Sequence, residues 1–471
     1  MNLSRRPLVA GAAALFAAGV ANRLIGTLYR VILVRTAGEE VVGLFQMTLP
    51  VYRVASTIAS AGIPVAIARL AADAHGARNP RLARRYGGVG LALTLLTASL
   101  AGLALFFTRS IWANHFLTDS RTVITLAVLP LLLLPAATSA SLRGVLQGEE
   151  RLGPVALSSF AEVTSRVPAV LLFVWLSLPL GAAWASAGIA AGLAAGEIVS
   201  VAILLWCVRG IWPQRGLIAR RSARLRHPDA GRRPPRGRGD GVRLLVFDQL
   251  PVVRSLLAIA LPVLFSGLVN SILGVLNVAL IPRQLMAAGH TSEQATVLYG
   301  RLFGMALPAL YMPMVAVHPL VHAAIPAVAK RLSAGKRAAV RRLLVQCFTV
   351  AGLVALVASS AFLKYGEEIG RILYNVEGLG ELIVPLAVAA PFAYSAHIAS
   401  GILYGMGKTG VTMANAVAGN VVRLALIYLL AGDPRWGIAG ALWAVVADYA
   451  VTCVLHLASM GVLVRRALRG A

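Results

Sequence analysis

Three arginines stand inside apolar sequence near the start of the chain: Arg23, Arg30 and Arg53, within residues 21–69. A guanidinium is planar and permanently protonated, and it forms paired, charge-assisted hydrogen bonds to anionic oxygens. Facing lipid at the bilayer centre, each would cost about 2.5–3.5 kcal/mol, so three would cost roughly 8–10 kcal/mol. They are therefore expected to face a bundle interior or a wet cavity. Spacing agrees. Arg23, Gly26, Thr27 and Arg30 fall on one helical face, and Gln46, Pro50, Arg53, Thr57, Ser60 and Pro64 alternate by four and three. The segment predicts two spanning helices joined by a loop at Arg35–Glu40, each with one polar stripe. Snorkelling to an interface is the alternative, and it suits Arg30, near a helix end, better than Arg23 or Arg53.

The elements that must position these side chains are membrane helices. The chain has 471 residues, of which 58% are apolar and only 13% charged, and its mean hydropathy is +0.78. That composition implies an all-α polytopic membrane protein. Apolar runs suggest twelve spans, near 8–34, 41–68, 86–107, 122–142, 154–176, 183–208, 252–282, 297–329, 343–363, 382–405, 411–431 and 437–463. Prolines such as Pro50, Pro64, Pro262, Pro308, Pro313, Pro319 and Pro326 are expected to kink them. Thirty of the 44 Lys and Arg residues fall in one alternating set of loops and seven in the other, with seven in or at the edge of spans. The bias places both termini in the cytoplasm, in a multi-pass protein of the cytoplasmic membrane. It also accounts for most of the net charge of +26 without nucleic acid. Ser4-Arg5-Arg6-Pro7-Leu8 resembles a twin-arginine export signal, but a positive flank before a first span is the simpler reading, since the segment recurs mid-chain. Cys207, Cys347 and Cys453 all lie in apolar segments, so no disulfide framework is implied.

The chain repeats. Asn22, Gly26 and Arg35 have the spacing of Asn270, Gly274 and Arg283. Gly144-Val145-Leu146-Gln147-Gly148, Arg151, Gly153 and Arg166 match Gly401-Ile402-Leu403-Tyr404-Gly405, Lys408, Gly410 and Arg423 at a constant offset of 257. This predicts a six-helix lobe at 1–208, a basic cytoplasmic linker at 209–250 and a second lobe at 251–471. Both halves start on the same side, so the lobes run parallel around a central cavity, with a pseudo-two-fold axis along the membrane normal.

Residues 21–73, with Arg143-Gly144-Val145-Leu146-Gln147-Gly148 and Glu162–Arg166-Val167, resemble the stage V sporulation protein B-like polysaccharide-export proteins. These are oligosaccharide flippases of the multidrug/oligosaccharidyl-lipid/polysaccharide exporter superfamily. The resemblance implies a non-enzymatic, two-lobed transporter that opens alternately to either side. Its implied substrate is an undecaprenyl-diphosphate-linked oligosaccharide or peptidoglycan precursor, moved among membrane lipids, with cell-wall synthesis enzymes as candidate partners. The superfamily's lipid II flippases carry cavity arginines in their first two helices; Arg23 matches one of these and Arg53 another approximately.

On this reading Arg23 and Arg53, with Arg30, contact the diphosphate; the alternative is pairing with helix carbonyls or acids. Glu162 and Arg166, at i and i+4, read as a structural ion pair. Glu197 and Asp448 occupy similar places in the last helix of each half, either as sites for a coupling proton or sodium ion or as a repeated structural acid. The sequence calls for no cofactor; proton, sodium or membrane potential is the candidate energy source. His318 and His322, at i and i+4, lack the Cys, Asp or Glu set that would complete a metal site, so packing or cavity lining is the better reading. The glycine segments permit close helix approach and lack the P-loop lysine pattern. A multidrug cation antiporter of the same fold would favour an acid-dominated cavity, and a polysaccharide polymerase or ligase would need large external loops. At the repeat positions of Arg23, Arg30 and Arg53 stand Ser271, Val278 and Tyr311. That predicts an asymmetric cavity whose positive wall belongs to the first lobe.

Overall fold

The computed structural model describes residues 6–209, 240–334 and 337–469. The Arg-rich segment 210–239 and the Ser4-Arg5 pair lie outside the described residues. Among the described residues every regular element is helical. The first half comprises α1 (Arg6–Ser60), α2 (Ile63–Gly76), α3 (Pro80–Ile111), α4 (Thr122–Gly148), α5 (Leu152–Ser177) and α6 (Ala182–Arg209). The second comprises α7 (Asp240–Ala287), α8 (Ser292–Gly300), α9 (Leu307–Met314), α10 (His318–Ser333), α11 (Arg337–Tyr374), α12 (Leu386–Gly405), α13 (Thr409–Leu430) and α14 (Gly437–Arg469). The first turns of α7 fall within the 209–250 segment expected as linker.

Ten helical runs among the described residues are long and apolar enough to cross a membrane, and a pair bent by 57° between Met314 and His318 makes an eleventh. The run Ala14–Gly76 is 63 residues long, roughly 95 Å at about 1.5 Å per residue, about three times the hydrocarbon thickness. It breaks at Gly38, whose φ of 84° and ψ of 167° are open essentially to glycine alone. It therefore supplies two crossings, which makes twelve. A second break falls at Ala61 and Gly62, both at positive φ. Pro64 then sits in the first turn of α2, where its missing N–H leaves no carbonyl unserved. The kink expected at Pro64 is thus a helix restart.

Packing within each half is duplicated along with the sequence. A Cβ at Gly144 would lie 2.5 Å from the Pro64 carbonyl oxygen, and one at Gly148 2.8 Å from that of Ala68. In the second half a Cβ at Gly401 would meet the Val321 side chain, and one at Gly405 would lie 2.6 Å from the Ile325 carbonyl oxygen. Partners and glycines alike are separated by the offset of 257 residues. The glycines thus let α4 and α12 approach α2 and α10 closely.

The halves meet where α1 packs on α7 and α8 and where α2 packs on α7. At the arginine-poor end the contact is dense. Gly43 and Gly300 are related by the same offset and touch each other: a Cβ on Gly300 would lie 2.6 Å from the Gly43 Cα. Around them the cations cross over. Arg35 donates to the carbonyls of Ile372 and Leu373 at the end of α11, and Arg283 donates to the His115 carbonyl just beyond α3. Each thus compensates the carbonyl-rich end of a helix in the other half. Arg301 pairs with Glu39 at 2.5 Å. Arg121 pairs with Asp119 at 2.9 Å and also with Glu40, and the hydrogen bonds to Asp119 hold its pKa above the ordinary guanidinium range. Asp119 also accepts from Thr296 Oγ1 at 2.8 Å. This end is closed. Replacing both crossing cations, Arg35→Ala with Arg283→Ala, is expected to open it. A charged thiol reagent added from that side should label Gln46→Cys, in a Cys207→Ser background, about tenfold faster, the effect of roughly 1.4 kcal/mol. An unchanged rate would refute the latch.

Candidate functional site

Away from the closed end the halves part around a central space. One chamber, of about 420 Å³, is lined by Arg23, Gly26, Arg30 and Arg166 from the first half and by Tyr311 and His318 from the second. Another, of about 270 Å³, places Arg30, Gln46 and Arg53 opposite Asn277, Tyr311 and Arg423. The two share Arg30, Gln46, Leu49 and Tyr311, so they are parts of one cavity. The first polar stripe read from the sequence faces it whole, and the second through Gln46, Pro50 and Arg53, whereas Thr57 bonds to Ser271 and Pro64 packs against Gly144. Helical spacing on the two arms of α1 brings Arg23, Arg30 and Arg53 together.

What separates these three from the other two arginines that line the cavity is their lack of partners. Among the described residues none of them has an ion pair or a side-chain hydrogen bond, and Arg23 Nη1 is buried with nothing to donate to. Arg166 and Arg423, by contrast, are each paired with an acid. Glu162, 6% exposed, is clamped by Arg166 and by Arg143, the latter at 2.5 Å. Arg143 also reaches Ser200 Oγ at 2.8 Å. The expected Glu162–Arg166 pair is present but belongs to a triad. Arg143, read from the sequence as a loop residue, stands inside α4; a lone arginine beside a glycine segment carries no sign of a partner on another helix. Glu197 accepts from Ser139 Oγ at 2.7 Å.

The second half solves the same problem with different residues. Arg423 pairs with Asp448 at 3.2 Å, and Thr452 Oγ1 donates to Asp448 at 3.1 Å. Gly419 stands at the repeat position of Glu162, and Asp448 and Thr452 fill the space its Cβ would need. The acid has moved from the fifth span to the last. Arg423 thus adds a cation to the second-half wall, which the expectation of a positive wall on the first lobe alone did not include, although Asp448 balances its charge.

His318 Nδ1 lies 2.8 Å from His397 Nε2, which joins α10 to α12; the His322 side chain lies outside the described residues. No group of three or more His, Cys, Asp or Glu residues suited to a metal occurs among the described residues. A side pocket of about 320 Å³ is lined by Leu15, Phe16, Val20, Leu152 and Pro319, and it shares Arg23 and His318 with the arginine chamber. Gly19 borders it with open space beside its Cα. Asn277 and Tyr449, which line the cavity, had no counterpart in the sequence reading, because nothing in their spacing marks them.

The model of the family described as polysaccharide biosynthesis protein matches residues 8–332. The chain belongs to this family. It is 27% identical over 459 residues to stage V sporulation protein B of Bacillus subtilis (strain 168), which covers 97% of this chain and 84% of that protein. Lipid II flippase MurJ of the same organism is 24% identical over 165 residues, 33% of this chain and 30% of that protein. A solved multidrug resistance MATE family transporter of the MOP superfamily, in an inward-facing conformation, superposes with a TM-score of 0.70 at 14% identity over 94% of this chain and 95% of that one. The fold is thus the all-α, two-lobed transporter fold of that superfamily.

Pairing predicts how the arginines respond to substitution. Glu162→Gln strands two cations and should lower stability by about 3 kcal/mol, read as a fall in Tm in detergent. Arg53→Ala removes a charge that no protein group compensates and should change stability by no more than about 0.5 kcal/mol. Equal losses would contradict the division between paired and unpartnered arginines.

Proposed function

We propose that the chain is an alternating-access flippase that carries an undecaprenyl-diphosphate-linked oligosaccharide or peptidoglycan precursor across the cytoplasmic membrane. The observation that carries this reading is the set Arg23, Arg30 and Arg53: three cations on one cavity, without protein partners, beside arginines that are paired with acids. Uncompensated charge of that kind within a membrane is costly unless an anion meets it. A diphosphate brings about two negative charges and accepts the paired hydrogen bonds that arginine donates. The apolar side pocket that shares Arg23 with the chamber suits a prenyl tail leaving toward lipid while its head group stays in the cavity. An organic cation, the cargo of an antiporter, would be repelled by the same three charges. The name of one relative, a lipid II flippase, agrees with a peptidoglycan precursor.

The excess of Lys and Arg at the open end assigns that end and both termini to the cytoplasm. On this assignment the cavity is loaded from inside, and release requires the arginine latch at the other end to part. Glu197 is the residue assigned to coupling with a proton or sodium ion. Its carboxylate meets the neutral hydroxyl of Ser139, whereas Arg423 already compensates Asp448. Enzymes of cell-wall synthesis, which make and use such lipids, are the protein partners this reading calls for.

Reconstitution in liposomes with a fluorescent undecaprenyl-diphosphate glycan tests the proposal. Wild-type protein should flip the lipid and leave cationic dyes where they are. Arg23→Ala and Arg53→Ala should each slow flipping about 10- to 100-fold, the loss of one charge-assisted hydrogen bond worth roughly 1.5–3 kcal/mol. Native rates in both variants would overturn the assignment. Gly19→Leu, at a position with open space for a Cβ, narrows the side pocket and should slow flipping with Tm unchanged; full activity would remove the tail route.

A further inference from the structure

The second-half wall of the cavity has a chemistry that a diphosphate does not use. Four of the fourteen residues lining the 270 Å³ chamber are aromatic, Tyr299, Phe303, Tyr311 and Tyr449, and all come from the second half. Only 7% of the whole chain is aromatic, so the wall is enriched well beyond composition. Tyr299 is buried and stacks on Phe303 with ring centroids 4.5 Å apart and planes at 20°. Tyr311 is 41% exposed, borders both chambers, and has its hydroxyl tied to that of Tyr449. The ring is therefore held in place at the cavity surface.

Beside it stands an acceptor without a donor. Asn277 is 3% exposed and lines this chamber. Its Nδ2 donates to the Leu273 carbonyl at 2.6 Å, and its Oδ1 is buried with no partner. A buried acceptor left empty costs about 1–3 kcal/mol, so the group that fills the chamber should bring a hydroxyl or an amide N–H. An aliphatic chain brings neither. An organic cation suits aromatic rings, but Arg30, Arg53 and Arg423 line the same chamber and oppose it. A pyranose fits both demands, since it has an apolar C–H face for an aromatic ring and a rim of hydroxyl donors. Tyr311 also stands at the repeat position of Arg53, and the same chamber holds both residues.

We propose that Tyr311 and Asn277 form a saccharide subsite, in which the sugar next to the diphosphate rests on the Tyr311 ring and donates a hydroxyl to Asn277 Oδ1. The inference rests on the flippase reading and adds the part of the substrate that the arginines do not hold.

The test compares two probes in binding to purified full-length protein: undecaprenyl diphosphate, and the same lipid carrying one N-acetylhexosamine. Wild-type protein should bind the sugar-bearing lipid about tenfold more tightly, a difference of roughly 1.4 kcal/mol. Tyr311→Ala and Asn277→Leu should each bring its affinity down toward that of the sugar-free lipid and leave sugar-free binding unchanged, which also serves as the control for folding. Tyr311→Phe keeps the ring and should retain most of the preference. Parallel loss of both probes in Tyr311→Ala and Asn277→Leu, or no loss in either variant, overturns the subsite. Equal wild-type affinity for the two probes overturns the subsite but leaves the diphosphate reading standing. No wild-type binding of either probe overturns both.

Discussion

Cationic charge inside a low-dielectric slab must be compensated, and the placement of the buried acids in this molecule follows from that constraint. Glu162 draws Arg143 and Arg166 from different helices to one point. Asp448 does the same for Arg423. At the closed end, Glu39, Asp119 and Glu40 take up Arg301 and Arg121. Once these are satisfied, the cations left on the cavity are Arg23, Arg30 and Arg53. Their isolation is informative because the other arginines that line the cavity, Arg166 and Arg423, have each recruited an acid.

The duplicated scaffold decides how such a cavity opens and closes. Glycine contacts at Gly144, Gly148, Gly401 and Gly405 lock helices within each half through backbone approach, and rigid halves move as bodies. Between the halves the closure adds ion pairs and arginine-to-carbonyl bonds to close glycine contacts at Gly43, Gly300 and Gly304. Reciprocity matters here. Arg35 and Arg283 each cross to the other half, so parting the halves at this end breaks both sets of bonds. Sub-ångström slippage is not available, because glycine against glycine leaves no side chain to deform.

Much of this was legible in the sequence. Twelve spans, the parallel duplication and the stripe through Arg23, Arg30 and Arg53 follow from hydropathy, spacing and a fixed offset, which are one-dimensional signals. The repeat even marked Arg35 and Arg283 as equivalent, without revealing that they bind across the halves. What stayed hidden depends on which helices touch. Arg143 reads as a loop residue until α5 is placed beside it. Thr296 lies 177 residues from Asp119, and only the folded closure brings it to the Asp119–Arg121 pair. Pro64 reads as a kink, but two preceding residues at positive φ make it a helix start. Periodicity reports which face a residue occupies and is silent about what stands opposite.

The departures from symmetry at the cavity bear on what it holds. Ser271, the counterpart of Arg23, is 8% exposed and bonds to Thr57 Oγ1 of the first half at 3.0 Å. Val278, the counterpart of Arg30, is fully buried. Those positions have therefore become interface between the halves, and cations there would be buried against protein at a cost of several kcal/mol each. Close packing of α7 against α1 thus excludes a second arginine set on structural grounds alone. Tyr311 is different, since it remains exposed to the cavity, where a charge could have been kept. An aromatic ring there, facing unpartnered arginines, makes one wall anionic-ligand chemistry and the other amphipathic. A substrate with a charged group joined directly to a sugar has the same division along its own length, and the proposed orientation rests on that match.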